Sequence, residues 1–144
     1  MTDLLLVLHL TLAAIWMGAM GYSLTAVQPK VDRFFPDEEK REEFLLLLAH
    51  GNRWKVVGLI AALVLTGAAL AVDVSWWYAV SVVLYGIAAV IFWHVSWQHW
   101  PSRIFAVREE LAGYRRRLRL LASCMTGLVG AAFVFALAVT VVRP

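Results

Sequence analysis

The sequence predicts an all-α integral membrane protein, an antiparallel up-and-down bundle of four transmembrane helices joined by helical cytoplasmic connectors. Of its 144 residues, 62% are hydrophobic and only 16% are charged, and the mean hydropathy is +0.74. Soluble domains are about half apolar and about a quarter charged. A chain of this length cannot hide so much apolar surface in one soluble core. Four of its stretches are long enough and apolar enough to cross a lipid bilayer.

The four predicted spans are separated by two polar connectors and one very short link, and together they form a single transmembrane domain, 1–144. The spans cover about residues 4–27, 52–72, 75–100 and 118–142, and the connectors cover 28–51 and 101–117. We expect Pro29 to close the first span and Pro101 to break the third, because proline disfavours helix in the residue before it. An acidic start predicts a connector helix over about 37–50.

Basic residues are concentrated in the two connectors and their flanks. Twelve of the thirteen lie there: Lys30, Arg33, Lys40, Arg41, Arg53, Lys55, Arg103, Arg108, Arg115, Arg116, Arg117 and Arg119. The short link has none, and the termini have only Arg143. The positive-inside rule therefore predicts cytoplasmic connectors and a cell (inner) membrane protein with both termini on the outer side. The basic run 115–119 predicts contact with anionic lipids. The sequence shows no nucleic-acid-binding module.

His9 is the residue for which the sequence most clearly indicates a function. It lies within an uncharged stretch of 24 residues, 4–27. An imidazole inside a membrane span is energetically costly and usually functional. Two interpretations remain open: a neutral His9 hydrogen-bonded to a neighbouring helix, or a ligand to a cofactor. The polar residues expected at its depth are Tyr78, Ser81, Tyr85 and Thr140.

The other candidate ligands lie near the predicted cytoplasmic ends of the helices. His94 is the second candidate cofactor ligand, and the weaker metal candidates are His50, His99, Cys124 and Met125. Imidazole, thiolate and thioether groups suit Cu(I), and imidazoles suit haem. We expect His9 and His94 to lie roughly 20 Å apart in depth, too far to share one metal. The alternatives without a ligand role are solvent or lipid contact for His50 and His99, and ordinary helix packing for Cys124 and Met125.

A short pattern in the first helix links the chain to a known group of proteins. His9 is followed seven residues later by Trp16 and then by Gly18, which is written H-x6-W-x-G. This resembles the first helix of copper resistance protein D-like and HemJ-like membrane proteins, and Thr66-Gly67 is similar to a copper resistance D pattern. The resemblance implies a four-span protein that binds haem b or copper, with His9 as a ligand.

The resemblance also implies two activities. One is a HemJ-like protoporphyrinogen oxidase, although the lysine which that family carries early in its third helix has no counterpart in segment 77–81. The other is copper uptake or tolerance, as in the copper resistance D-like proteins.

A different class of function is a non-catalytic accessory or scaffold subunit of a larger membrane complex, with membrane-protein partners or a second copy of the chain. Small residues on the spans favour this alternative because they let helices approach closely. The absence of charged residues from the interior of the spans favours it too. Transport of a small or metal solute would need a polar pathway, and the spans contain none.

Overall fold

A computed structural model describes residues 2–73 and 75–142, and 94% of them are helical. In that part of the chain, four helical stretches are long and apolar enough to cross a membrane: Thr2–Phe34, Glu38–Asp73, Tyr78–Ile104 and Glu109–Val142. The prediction of an all-α fold is confirmed, and the four long apolar stretches agree with the prediction of a multi-pass membrane protein. Val74 in the short link, Arg143 and the side chain of Arg108 lie outside the described part.

The four stretches are built from six α-helices and two short π-helical segments within the described residues. In chain order these are α1 (Thr2–Tyr22), a π-helix (Ser23–Val27), α2 (Gln28–Phe34), α3 (Glu38–Asp73), α4 (Tyr78–His94), a second π-helix (Val95–His99), α5 (Trp100–Ile104) and α6 (Arg108–Val142). Because the connections between the four stretches are short, consecutive stretches run in opposite directions.

Pro29 and Pro101 do not end the helical stretches that contain them, so that expectation was wrong. Pro29 and Pro101 each lie at the start of a further α-helix, and each follows a five-residue π-helical segment. A proline lacks an N–H group, and its ring clashes with the carbonyl four residues earlier. The wider π turn relieves both problems and lets the helix continue past the proline.

The two predicted connectors are largely continuous with the helices that follow them. Residues 38–50 form the first turns of α3, and 108–117 form the first turns of α6. The predicted acidic start is confirmed, since the backbone N–H of Glu39 donates to Oδ1 of Asp37 at 3.0 Å. The third span begins at Tyr78 rather than at residue 75, because Trp76 and Trp77 form the turn of the hairpin.

The long helices enclose one continuous core. α1 contacts α3 and α6, and α4 contacts the same two helices from the other side. The larger buried cluster consists of Ala13, Trp16, Leu63, Tyr85, Ala88, Met125, Val129 and Ala132. A smaller cluster of Leu70, Tyr78 and Ala136 lies towards the short link. His9 is placed between these two clusters.

Ion pairs join the two connector regions at one end of the bundle, which we call the charged end. The pairs are Arg103–Glu42 at 2.6 Å, Arg115–Glu38 at 2.6 Å and Arg119–Asp32 at 3.0 Å. The Arg103 side chain is only 1% exposed. Both connectors therefore lie at the same end of the molecule.

Candidate functional site

His9 is completely buried, on α1 where this helix packs against α3. Its Nδ1 lies 2.8 Å from Oγ1 of Thr66 on α3. The Thr66 hydroxyl also lies 2.7 Å from the carbonyl oxygen of Ala62, to which it donates its only proton. With the Thr66 proton directed at the helix carbonyls, Thr66 accepts a hydrogen bond from His9, which assigns the proton of a neutral imidazole to Nδ1.

This arrangement leaves the other ring nitrogen without a partner. Nε2 of His9 is buried, and no described residue forms a hydrogen bond with it. With the proton on Nδ1, Nε2 carries a lone pair that can accept a proton or bind a metal. An unsatisfied polar atom in a protein core costs about 1–3 kcal/mol, so its presence requires an explanation.

Aromatic rings surround the imidazole. The ring centroid of His9 lies 5.8 Å from that of Tyr85 and 6.5 Å from that of Tyr78, both in edge-on geometry. Trp16 continues the group, with its ring centroid 6.0 Å from that of Tyr85. The Tyr85 hydroxyl and the Trp16 indole nitrogen are also buried without a partner among the described residues. We refer to His9, Trp16, Thr66, Tyr78 and Tyr85 as the His9 cluster.

Gly67 makes the close approach of α3 to His9 possible. A Cβ atom at this position would lie 2.8 Å from Cγ2 of Val82 and 3.1 Å from Cε1 of His9. Both distances are shorter than ordinary carbon–carbon contacts of about 3.5–4.0 Å. The absence of a side chain at Gly67 therefore allows its neighbour Thr66 to reach the imidazole.

The polar residues expected at the depth of His9 divide into two groups. The rings of Tyr78 and Tyr85 contact His9, as described above. Ser81 instead donates to the carbonyl oxygen of Ala132 at 3.2 Å, and Thr140 lies 2.9 Å from the Tyr78 hydroxyl. The hydrogen-bond partner itself, Thr66, was not predicted. The available signal was a hydroxyl residue beside a glycine in an otherwise apolar helix.

The other candidate ligands are not brought to His9. Nδ1 of His94 lies 2.8 Å from Oε1 of Gln98, one helical turn away. His50 and Cys124 are exposed, and Met125 is a buried member of the larger core cluster. These positions agree with a solvated or lipid-contacting role for His50 and with ordinary helix packing for Met125. Their roles as ligands stay predictions.

His99 is the exception among the histidines near the charged end. It is only 3% exposed and packs between the rings of Trp100 and Tyr114, so a solvated or lipid-contacting role is wrong. Its Nε2 also lacks a partner among the described residues. Arg103 and Arg117 act on this ring electrostatically, and their positive charges disfavour a metal cation there. Within the described ranges, no group of three or more His, Cys, Asp or Glu side chains is placed to hold a metal ion.

No protein-family model matches this chain, and no curated protein or solved structure is significantly similar to it. The chain is therefore described by its own structural features. It is a helical bundle with four stretches long and apolar enough to cross a membrane, and its core contains an imidazole with one paired nitrogen and one that lacks a partner among the described residues.

Proposed function

We propose that this membrane protein binds haem b or copper through Nε2 of His9. The observation that carries the proposal is the buried Nε2 lone pair, for which the described residues offer no partner. Histidines that bind metals commonly donate their other ring N–H to a second group, which fixes the tautomer and the ring orientation. Thr66 has this relation to His9. The H-x6-W-x-G resemblance of the first helix to copper resistance D-like and HemJ-like proteins supports the same assignment.

The packing around His9 discriminates between the two cofactors. A copper ion needs little more than the space of one atom beside Nε2, and imidazole is a suitable ligand for it. A haem macrocycle needs a wide flat slot, whereas the His9 ring is fully buried against Tyr78 and Tyr85. Copper therefore requires less rearrangement of the closed bundle than haem b, which requires the helices around His9 to separate.

The described residues have distinct roles in this proposal. His9 supplies the ligand atom, Thr66 holds the imidazole in the required tautomer, and the rings of Tyr78 and Tyr85 exclude water. Either cofactor supplies one-electron redox chemistry when bound. His94 is the second, weaker candidate, at a separate place in the bundle.

The test is an absorption spectrum, oxidised and reduced, together with elemental analysis of the purified full-length protein. We expect wild type and the exposed-histidine control H50A to carry a Soret band or stoichiometric copper, and H9A to carry neither. T66V provides a second variant in which the ligand is kept but its orientation is lost, with an expected affinity loss of about 10–100-fold. Wild-type protein with neither a Soret band nor copper contradicts the proposal.

A specific observation favours the alternative function, an accessory or scaffold subunit. A Cβ built at Gly18, Gly21, Gly58 or Gly127 would meet no atom within 4 Å, so these glycines make no close contact inside the chain. Small residues that face outward allow a helix of another protein, or of a second copy, to approach closely. This alternative predicts that the protein co-purifies with a partner and that H9A retains it.

The proposed location is the cell (inner) membrane, with the charged end in the cytoplasm and both termini on the outer side. The ion pairs that gather both connectors at one end support this orientation, since twelve of the thirteen basic residues belong to that end. The run 115–119 is then placed to contact anionic lipids, which we propose as partners together with the bilayer itself.

A further inference from the structure

An apolar groove lies at the charged end, between α2 and the first turns of α3. It is lined by Val31, Phe34, Phe35 and Phe44, with Lys30 and Arg33 at its edge. The three phenylalanine rings follow one another along the groove, with centroid separations of 5.0 Å and 5.2 Å. The groove is far from the His9 cluster along the chain and shares no residue with it.

The two cations at the groove have no anionic partner. Lys30 and Arg33 are exposed, lie one helical turn apart, and form no ion pair or hydrogen bond within the described part of the chain. Three acidic residues of the same end are paired with other cations: Asp32 with Arg41 and Arg119, Glu38 with Arg41 and Arg115, and Glu42 with Arg103 and Arg115. The edge of the groove therefore presents two positive charges to an external anion.

The groove lies where a membrane-spanning helix leaves the apolar layer. Phe34, at the end of the first span, is 75% exposed. Phe105, in the other connector at the same end, is 86% exposed. Large apolar side chains beside unpaired cations are suited to the boundary between acyl chains and headgroups, where cations extend towards the phosphates.

We propose that this groove is a binding site for an anionic phospholipid. An acyl chain lies along Phe34, Phe35 and Phe44, and the headgroup phosphate contacts Lys30 and Arg33. The combination of an apolar lining and two free cations matches an amphiphile that carries both an apolar chain and a negative charge. The site goes beyond the proposed metal function and is independent of it.

The experiment is native mass spectrometry of the detergent-purified full-length protein with added phosphatidylglycerol or phosphatidylcholine. Wild type is expected to retain one phosphatidylglycerol molecule and to release phosphatidylcholine. K30Q/R33Q is expected to bind phosphatidylglycerol roughly 30-fold more weakly, since each basic residue near a lipid surface contributes about 1 kcal/mol. Phe34→Ala keeps both charges and removes part of the apolar wall, so it is also expected to weaken retention of phosphatidylglycerol.

The matched control is K40Q/K55Q, which removes two exposed cations of the same connector and its flank without touching the groove. It is expected to retain phosphatidylglycerol as wild type does. Equal loss in the two double variants would overturn the proposal, because general electrostatic attraction would then explain the binding. Equal retention of the two lipids, or a protein rather than a lipid bound at the groove, would overturn it as well. Unchanged circular dichroism of each variant shows that the bundle is intact.

Discussion

The charged end and the His9 cluster differ in the polar side chains that they bury, as a comparison of Arg103 with His9 shows. At the charged end, the buried Arg103 side chain meets both carboxylate oxygens of Glu42, at 2.7 Å and 2.6 Å. In the His9 cluster, the polar groups are neutral, and the imidazole has one partner, Thr66, where it could have two. A buried charge must be paired because its desolvation is so costly, whereas a neutral nitrogen can stay unpaired at a tolerable cost.

The comparison indicates what each region contributes. Paired charges that join α3 to α5 hold the connector ends together and so serve the fold. The unpaired Nε2 of His9 adds nothing to the stability of the fold, which is why we assign the binding function to it. Substitutions in the two regions should therefore differ in size and in kind.

The largest expected effect follows from removing one partner of the buried ion pair. E42A leaves Arg103 buried without its carboxylate, and breaking such a pair typically costs about 3–5 kcal/mol. We expect the free energy of unfolding in detergent micelles, measured by denaturant titration, to fall by this amount. Removing both partners in E42A/R103A should cost less than E42A alone, because no unpaired charge is left behind.

The matched control for this prediction is E43A on the next position of the same helix. Glu43 is exposed and forms no ion pair or hydrogen bond within the described residues. Its replacement should change the free energy of unfolding by no more than about 0.5 kcal/mol. Equal unfolding of E42A and E43A would show that the charged end does not hold the bundle together.

An intermediate effect is expected where α3 passes His9. G67A places a methyl group 2.8 Å from Val82 and 3.1 Å from His9, and overpacking of this kind costs about 1–3 kcal/mol. G58A on the same helix is the control, since a Cβ there meets nothing within 4 Å. The same denaturant titration should show G58A unchanged or slightly more stable, because alanine favours helix.

The partner substitution V82A tests the cause of the G67A effect. It removes the methyl group that the new side chain would meet, so G67A/V82A should recover part of the loss relative to V82A alone. If G67A were as stable as G58A, the close approach of α3 to His9 would be wrong.

The main architecture could be predicted from the sequence because it depends on the length of the apolar stretches and on where the basic residues lie between them. Four apolar stretches and two basic connectors were enough to predict the helices and the common end of the connectors. The helix continuity at Pro29 and Pro101 could not be predicted, because single-residue preferences do not reveal that a π turn will form before the proline. Tertiary packing decides between a break and a widened turn.

The candidate site could be predicted only in part from the sequence. His9 could be identified from the cost of an imidazole in an apolar span, and Tyr78 and Tyr85 from their depth. Depth alone does not fix rotation about the helix axis, which decides what faces His9. Thr66 was missed as the partner, and the solvated or lipid-contacting alternative for His99 was wrong, because both depend on that rotation.

The substitution with the smallest expected effect on stability is also tested by the most specific measurement, the tautomer of His9. T66V keeps the shape of the side chain but removes the oxygen that accepts the Nδ1 proton of His9. We expect the free energy of unfolding to fall by about 1 kcal/mol, the usual net contribution of one hydrogen bond. In ¹⁵N NMR spectra, wild-type His9 should be the pure Nδ1–H tautomer and T66V a mixture. T66S, which keeps the hydroxyl, should behave as wild type. A wild-type ring protonated on Nε2 would remove the lone pair on which the proposed metal ligation depends. If the wild-type ring is the Nδ1–H tautomer and a mixture of tautomers appears only in T66V, the difference between the two regions depends on a single hydroxyl group.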